Sequence, residues 1–493
     1  MSTAFPRARA RLLSTAISLS IASAALSGHV AAQDAGAASN RALLDRIEAL
    51  ERRLGVGTAD ASPPADGDTP VTVADLDQRL RVLERKLELQ AEDAAAKAAK
   101  DPVVALSTAK GLSIKSPDGI ELKLRGLVQA DGRFFAGDTR VPQNKTFLFR
   151  RVEPTLEGNW GPLLAFRIQA QFAGDSAALN DAYLDVKLDP RATVRIGKFK
   201  QPVGLEQLQS SGGLATVERG FPAELTPARD IGVQLQGEFR DGALSYAVGA
   251  FNGTPDGRDG ATSNPDNELE YAARVFWEPF RSRANGLSGL GIGVGGSVGD
   301  AFGTGNAALP RYRTPGQAQF FAYGSNVAAD GLRRRWAPQA YFYRGPFGAQ
   351  AEYNTSEQEV RVVSGVGAGR RKHLKHEAYQ LTASWVFTGE DAGYRGVARP
   401  NRPFAVGGEG WGAFELVGRY GELRLDGATF PLFANLNTSA REARSWTIGL
   451  NWYLTNYFKL VADYSRTRFD RGAAAGADRE TENAFFTRAQ FSF

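Results

Sequence analysis

Apolar and polar residues alternate over long stretches of the chain after residue 120. Between Ile120 and Asp131 nearly every second residue is apolar or small, and the residues between them are mostly polar. Successive side chains of a β-strand point to opposite faces, so this pattern predicts strands with one apolar and one polar face. Sixteen segments follow the pattern, near residues 120–134, 146–158, 163–173, 178–188, 191–199, 231–239, 243–252, 268–278, 288–299, 333–344, 346–356, 376–388, 410–422, 443–454, 457–468 and 482–493.

The number and order of these strands indicate the class of fold. Single-chain bacterial outer-membrane barrels have an even number of antiparallel strands, whose side chains face lipid and lumen in turn. The last strand ends in an aromatic residue, Phe493, which is typical of many such barrels. We therefore predict an all-β fold, a 16-stranded antiparallel transmembrane β-barrel over residues 111–493, of the size that leaves a water-filled channel.

One connection does not fit this order. Short periplasmic turns should alternate with longer outer loops along the chain. Residues 389–409 fall where a periplasmic turn is expected, yet they form one of the longer connections. Either this segment folds back into the structure, or the strand count is wrong by one hairpin.

A different spacing marks the chain before the barrel. Leu or Ile recurs at intervals of three and four residues in two pieces, at positions 43–54 and 76–87. This spacing predicts a helical, coiled-coil segment over residues 33–110, with a Gly/Pro-rich break at 55–70. Each piece has only about two heptads, which is marginal for an isolated helix. We predict self-association, as in a trimer; packing of the two helices on each other or on the barrel mouth is the alternative.

The first residues have the pattern of a secretory signal peptide. Three arginines precede an apolar stretch at about 12–26, and small residues at 30–32 offer a cleavage site, so we predict a signal peptide over residues 1–32. This places the barrel in the bacterial outer membrane and the segment 33–110 in the periplasm. Removing three Arg and no acid lowers the net charge from +5 to +2, so no nucleic-acid partner is indicated.

Few residues are suited to covalent or metal chemistry. Cysteine is absent, which excludes disulfides, thiolate metal sites and cysteine nucleophiles. His373 and His376 lie in a basic stretch, residues 370–376, which we predict to be a loop. The neighbouring positive charges oppose a metal cation, and a hydrolase would need a Ser/His pair with an orienting partner. We therefore expect no enzyme activity, metal or cofactor; the basic stretch could recruit anions or bind lipopolysaccharide phosphates.

The third outer loop, at about residues 200–230, is the first candidate for function. A long loop folded inward commonly sets the narrowest point of a wide barrel. Motifs in and around this loop are Phe149–Val152, Gly197–Glu206, Val217–Arg219 and Arg229–Val233, and motifs near the end of the chain are Asn451–Tyr453, Tyr464–Phe469, Glu482–Ala484 and Thr487–Phe491. In combination these motifs resemble the phosphate-selective porins O and P.

The resemblance covers roughly residues 110–493. It implies a trimeric sixteen-stranded outer-membrane porin, often with a preceding coiled coil, that prefers anions. In the type members of the family the anion is phosphate or polyphosphate.

Basic residues are the expected anion-binding groups, since Arg grips phosphate oxygens bidentately and Lys adds a mobile point charge. Alternation places six of them on the lumen face: Lys123, Arg125, Arg133, Arg151, Arg167 and Arg195. Lys200, Arg219 and Arg229 in the loop are the leading candidates. Arg150 has lipid-facing parity and should reach the constriction only at the rim, although the Arg150-Arg151 pair resembles the family's constriction arginines.

Acidic residues share the lumen face and limit this inference. They are Glu121, Asp131, Glu153, Glu157, Asp181 and Asp185. Cross-strand pairing with the basic residues would stabilise the wall and give no selectivity. The sequence therefore predicts a passive channel for small inorganic anions, including phosphate, with outer-membrane lipid or lipopolysaccharide and a homotrimer as partners. A general, weakly selective porin is one alternative, and a coiled-coil envelope tether with incidental conduction is another.

Overall fold

The computed structural model describes residues 32–54, 72–98, 102–107, 111–137, 144–174, 176–283 and 285–493. The chain divides into two compact units; the first ends at Asp101 and the second is Pro102–Phe493. The predicted signal peptide, except its last residue, and the Gly/Pro-rich break lie outside the described residues.

The N-terminal unit contains two helices, α1 (Ala32–Leu54) and α2 (Val73–Ala98). They pack on each other through the predicted apolar seam, where Ile47, Leu76, Leu80 and Leu83 are buried. Two ion pairs join the helices beside the seam. The seam is thus covered within one chain, as in the alternative to self-association, and self-association stays a prediction.

None of the described helices combines the length and apolar character needed to cross a membrane.

The second unit is a closed barrel in which each wall strand pairs with an antiparallel neighbour and the last pairs with the first. A hairpin of β1 (Val103–Ser107) and β2 (Gly111–Lys115) precedes it and pairs with its first strand. The strands that follow are β3 (Ile120–Ala136), β4 (Thr146–Trp160), β5 (Leu164–Gln171), β6 (Ala178–Asp189), β7 (Ala192–Lys200), β8 (Arg229–Phe239), β9 (Leu244–Phe251), β10 (Glu270–Trp277), β11 (Leu290–Thr304), β12 (Arg311–Arg313), β13 (Gln319–Ala322), β14 (Val327–Arg344), β15 (Phe347–Val362), β16 (Arg371–Val386), β17 (Ala413–Arg424), β18 (Ala440–Tyr453), β19 (Phe458–Arg471) and β20 (Glu482–Ser492).

The wall comprises β3–β11 and β14–β20, sixteen strands within the described residues, and each coincides with a predicted strand. The strands β12 and β13 form a separate small sheet in the connection between β11 and β14. The β1–β2 hairpin and the β12–β13 pair were not predicted, because runs of three to five residues are too short to show a period.

Alternation along the wall sorts side chains as predicted. On β18, Trp446, Ile448 and Leu450 are exposed on the barrel exterior, whereas Ser445 and Thr447 are buried on the lumen side. The apolar exterior suits lipid, and the polar interior suits water and ions.

Candidate functional site

The connection between β7 and β8, residues 201–228, lies inside the barrel; we call it the inner loop. It includes the short helix α3 (Leu205–Leu208). Its backbone carbonyls accept hydrogen bonds from the opposite wall, where Arg488 Nη1 lies 2.7 Å from Val217 O and Lys459 Nζ lies 3.1 Å from Leu214 O. The predicted inward fold of this connection is confirmed.

Buried carboxylates fix the inner loop further. Glu352 on β15 accepts hydrogen bonds from the backbone N–H groups of Leu205 and Glu206, at 2.8 and 3.1 Å. The Glu206 side chain in turn accepts from Gln380 and from Arg419, at 3.0 and 3.3 Å. Since these partners come from three different strands, the loop is held in one position across the lumen.

A cavity of about 630 Å³ lies between the inner loop and strands β4–β10; we call it the basic cavity. It runs from inner-loop residues 208–211 to the turn at Pro190. Five basic and three acidic side chains line it, namely Arg167, Arg195, Lys200, Arg229 and Arg274 with Glu153, Asp181 and Glu238. The lining therefore carries an excess of positive charge.

Lys200 and Arg219 make no ion pair to any described residue. Lys200 ends β7, and its Nζ donates to the carbonyl oxygen of Gln209 at 2.9 Å. The Arg219 guanidinium donates to the same oxygen at 2.7 Å and to Glu206 O at 3.0 Å. Two cations thus converge on one neutral carbonyl. Arg229 and Arg151 lie close enough for their charges to act on Lys200 as well.

Other predicted cations in the cavity are partly neutralised. Asp181 bridges Arg229 at 2.7 Å and Arg167 at 3.3 Å, and Arg167 also pairs with Glu157 at 3.2 Å. Arg195 forms a bidentate pair with Asp185, at 2.7 and 2.9 Å. The prediction that Lys200 and Arg229 are loop residues is wrong, since Lys200 is the last residue of β7 and Arg229 is the first residue of β8.

A β-bulge corrects the prediction for Arg150. Gln129 on β3 faces Arg151, and the next residue, Ala130, faces Phe149, so Arg150 is the extra residue on β4. A bulge lets two consecutive side chains point to the same face. Arg150 therefore turns inward and not toward lipid, and its Nε lies 2.6 Å from a carboxylate oxygen on the inner loop. Arg151 donates to the amide oxygen of Gln129 at 2.7 Å.

The inner-loop carboxylate that pairs with Arg150 belongs to Glu218, which is buried among arginines. Arg133 donates to it at 2.6 Å and to Asp131 at 2.9 Å. Burial by itself raises the pKa of Glu218, but the charges of Arg150, Arg133 and Arg151 outweigh it and hold the pKa well below its usual value. Glu218 thus compensates part of the positive charge of Arg133, Arg150 and Arg151, which are three of the predicted anion-binding residues.

Six of the ten predicted cations do not line the basic cavity: Lys123, Arg125, Arg133, Arg150, Arg151 and Arg219. Lys123 pairs with Glu121 at 3.0 Å, and Arg125 pairs with Glu157 at 2.7 Å. By contrast, the sequence reasoning missed Arg274 on β10, which lines the cavity and donates to Gln339 at 3.0 Å. Its lumen-facing position between Ala273 and Val275 follows the two-residue period, so alternation alone could have identified it.

The long periplasmic connection, residues 387–412, folds back into the lumen, so the strand count was correct. The side chain of Gln209 donates to Tyr394 O, and the Tyr394 hydroxyl donates to Leu205 O, both at 2.5 Å. Ala392 and Val397 are buried against the wall. This connection therefore supports the inner loop from the periplasmic side.

The two histidines lie on β16 and not in the predicted loop. His376 is buried; its Nε2 lies 2.8 Å from the Tyr323 hydroxyl, and its Nδ1 accepts from Asp426 N at 3.1 Å. His373 pairs with Glu357 at 3.1 Å. Within the described part of the chain, no three metal-ligating side chains come together.

Comparisons with known proteins agree with this geometry. Porin O of Pseudomonas aeruginosa is 23% identical over 424 residues, which cover 79% of this chain and 92% of that protein. The outer membrane channel DcaP of Acinetobacter baumannii has a TM-score of 0.50 at 13% identity, over 77% of this chain and 99% of its own, and supports the barrel fold alone. A family model described as "Phosphate-selective porin O and P" matches residues 121–493. The match covers more than half of the chain, which therefore belongs to the family of phosphate-selective porins O and P.

Proposed function

We propose that this barrel is a passive outer-membrane channel for small inorganic anions, with the basic cavity as the conducting path. The observation that carries the proposal is the pair Lys200 and Arg219, whose side chains have no carboxylate partner among the described residues. Lys200 lines the basic cavity, and Arg219, which does not, donates to the same carbonyl oxygen. Arg274 in the cavity wall donates to an amide only. An uncompensated positive field at a fixed loop attracts anions and repels cations.

Phosphate is the anion that this arrangement suits best. Phosphate oxygens are charged acceptors, so they bind Lys200 and Arg219 more strongly than the neutral Gln209 carbonyl does. The description of the family, phosphate-selective porins O and P, supports the same anion.

A general, weakly selective porin is the second candidate. It is favoured by the number of lumen cations that pair with acids: Lys123, Arg125, Arg133, Arg150 and Arg195. Paired charges contribute little net field, so selectivity then depends on Lys200, Arg219 and Arg274 alone.

A planar-bilayer measurement separates the two candidates. The refolded mature protein is placed in a KCl gradient, the reversal potential is measured, and phosphate is then added. We expect anion-selective current that phosphate blocks. Selectivity near zero after correction for ion mobility, without a block, supports the general porin and contradicts the anion proposal.

The Lys200→Gln variant tests the assignment of the site. An anion passing at about 4 Å gains about 1 kcal/mol from one charge in water, so we expect the anion-to-cation permeability ratio to fall about fivefold. Lys187→Gln is the matched control, since Lys187 also lacks a carboxylate partner and donates to Asn159, but it does not line the basic cavity. Equal effects of the two substitutions on the permeability ratio would show that Lys200 is not part of the selectivity site.

We also propose a homotrimer. A concave apolar surface on the barrel exterior, about 660 Å³ in volume, is lined by residues of β3, β4 and β17–β20 that include Phe147, Phe149 and Trp452. A second barrel wall is a suitable occupant of such a surface. Light scattering of the detergent-solubilised protein should give the mass of three chains, and the mass of one chain would contradict the proposal.

A further inference from the structure

The exterior of β17–β19 contains a sharp boundary between lipid-facing and charged residues. From the middle of β18 toward its outer end, exposed Leu450 and Ile448 are followed by Trp446 and then by Arg444. On β19, Tyr464 is followed by Arg466 and Arg468 on the same face. Aromatic side chains mark the interface of the bilayer, so these arginines lie at the level of the lipid headgroups of the outer leaflet.

Arg444, Arg466 and Arg468 lie together on this face, and we call them the exterior arginine cluster. Arg444 has acidic partners, whereas Arg466 and Arg468 have none among the described residues. Arg444 on β18 lies directly opposite Arg468 on β19, and Arg466 is two residues before Arg468. Side chains directly opposite on one face have Cβ atoms about 5 Å apart, and like charges in such a pair destabilise the sheet. A position of this kind is stabilised by an anion placed between the guanidinium groups.

No protein group within the described part of the chain supplies that anion for β19. The side chains of Arg466 and Arg468 make no hydrogen bond or ion pair to a described residue, and Arg466 Nε is buried without any hydrogen-bond partner. On the neighbouring strands β17 and β18, by contrast, the exterior arginines have acidic partners. Arg424 and Arg444 each pair with both Glu422 and Glu442.

We propose that the exterior arginine cluster binds the phosphorylated headgroup of an outer-leaflet glycolipid. The guanidinium groups of Arg466 and Arg468 bind the phosphate, while the neighbouring Arg444 stays paired with Glu422 and Glu442. The acyl chains of the same lipid run over Trp446 and Ile448 toward the middle of the bilayer. Because the cluster faces lipid and the basic cavity faces the lumen, this site is separate from the conducting path.

The basic stretch 370–376 is a poorer candidate for the same lipid. Arg371 pairs with Asp330 at 2.8 Å, His373 with Glu357 at 3.1 Å and Lys375 with Glu377 at 3.1 Å. These three residues already have acidic partners, whereas Arg466 and Arg468 have none among the described residues, so β19 is the better candidate for the phosphate.

Native mass spectrometry of the full mature protein tests the proposal. The protein is titrated in detergent with diphosphoryl lipid A or with the dephosphorylated lipid. We expect preferential retention of the phosphorylated lipid, and at least about tenfold weaker retention in the double variant Arg466→Gln/Arg468→Gln, since each charge-assisted hydrogen bond contributes about 1.5–3 kcal/mol. Equal binding of the two lipids, or no effect of the double variant, would overturn the proposal.

Arg334→Gln/Arg361→Gln is the matched control. It removes the same charge from the same exterior face, but Arg334 pairs with Glu357 and Arg361 pairs with Asp330, so lipid retention should be unchanged. Displacement of the lipid by low concentrations of inorganic phosphate would overturn the lipid assignment in favour of a soluble anion. Heat-modified electrophoretic mobility verifies that each variant is folded, and unchanged ion selectivity separates this site from the channel.

Discussion

At the scale of single residues, Glu218 of the inner loop compensates arginines on the wall strands β3 and β4. Its buried carboxylate pairs with Arg133 and Arg150, and the charge of Arg151 acts on it as well. We expect Glu218→Gln to lower the free energy of unfolding by about 3–5 kcal/mol, because it leaves buried arginines uncompensated. Urea unfolding of the refolded barrel, followed by tryptophan fluorescence, measures this loss.

The pH dependence follows from the lowered pKa of Glu218. A carboxyl whose pKa is lower in the folded state contributes stability above its unfolded pKa and loses it as the pH falls through the folded pKa. The difference between wild type and Glu218→Gln should therefore be constant from neutral pH to about 5 and shrink only in stronger acid. A difference that disappears between pH 7 and 5 would contradict the assigned charge.

Individual side chains also show where sequence reasoning reaches its limit. Alternation correctly placed Arg167 and Arg195 on the lumen face, because a regular strand has a fixed period. It failed at Arg150, since one bulged residue reverses the parity and nothing in the local sequence marks the bulge. It also could not show which cations are neutralised, because Asp181 bridges strands that are distant in sequence.

At the scale of elements, Gly213 joins the inner loop to the connection 387–412. A Cβ on Gly213 would lie 2.9 Å from Arg395 O and 3.0 Å from Arg395 Cα, which is too close for the backbone to accept without a shift. We expect Gly213→Ala to separate the two segments, to break the hydrogen bonds at Tyr394, and to cost about 1–3 kcal/mol of stability. Single-channel recording should show increased current noise, since the inner loop loses its periplasmic support.

Gly212→Ala is the matched control for this contact. A Cβ at Gly212 would meet its nearest neighbour, the side chain of Gln490, at 3.6 Å, which is an ordinary van der Waals distance. Wild-type current noise and stability in both variants would show that the contact between the two segments does not hold the inner loop.

The wall strands could be predicted because they share one repeated pattern, whereas the fold of an individual connection could not. Sixteen wall strands could be predicted because each repeats the same two-residue period. The inward path of residues 387–412 depends on contacts such as Tyr394 to Leu205, which join positions far apart in the chain. Only its excessive length indicated that this connection folds back.

At the scale of the whole molecule, the two compact units predict separable roles. The strands of the barrel pair only with strands of Pro102–Phe493, and β20 closes the wall against β3. The inner loop and its partners also lie within this unit. Deleting residues 33–100, which removes α1 and α2, should therefore leave the single-channel conductance and the reversal potential unchanged.

The same deletion tests the tether alternative. If the helices connect the barrel to another envelope component, cells that carry the truncated protein become sensitive to detergent while the channel still conducts. If the helices serve trimer assembly, the truncated protein should instead lose its trimeric mass at low concentration. Failure of the truncated barrel to insert or conduct would contradict the independence of the two units, since every wall strand has both of its pairing partners in the truncated chain.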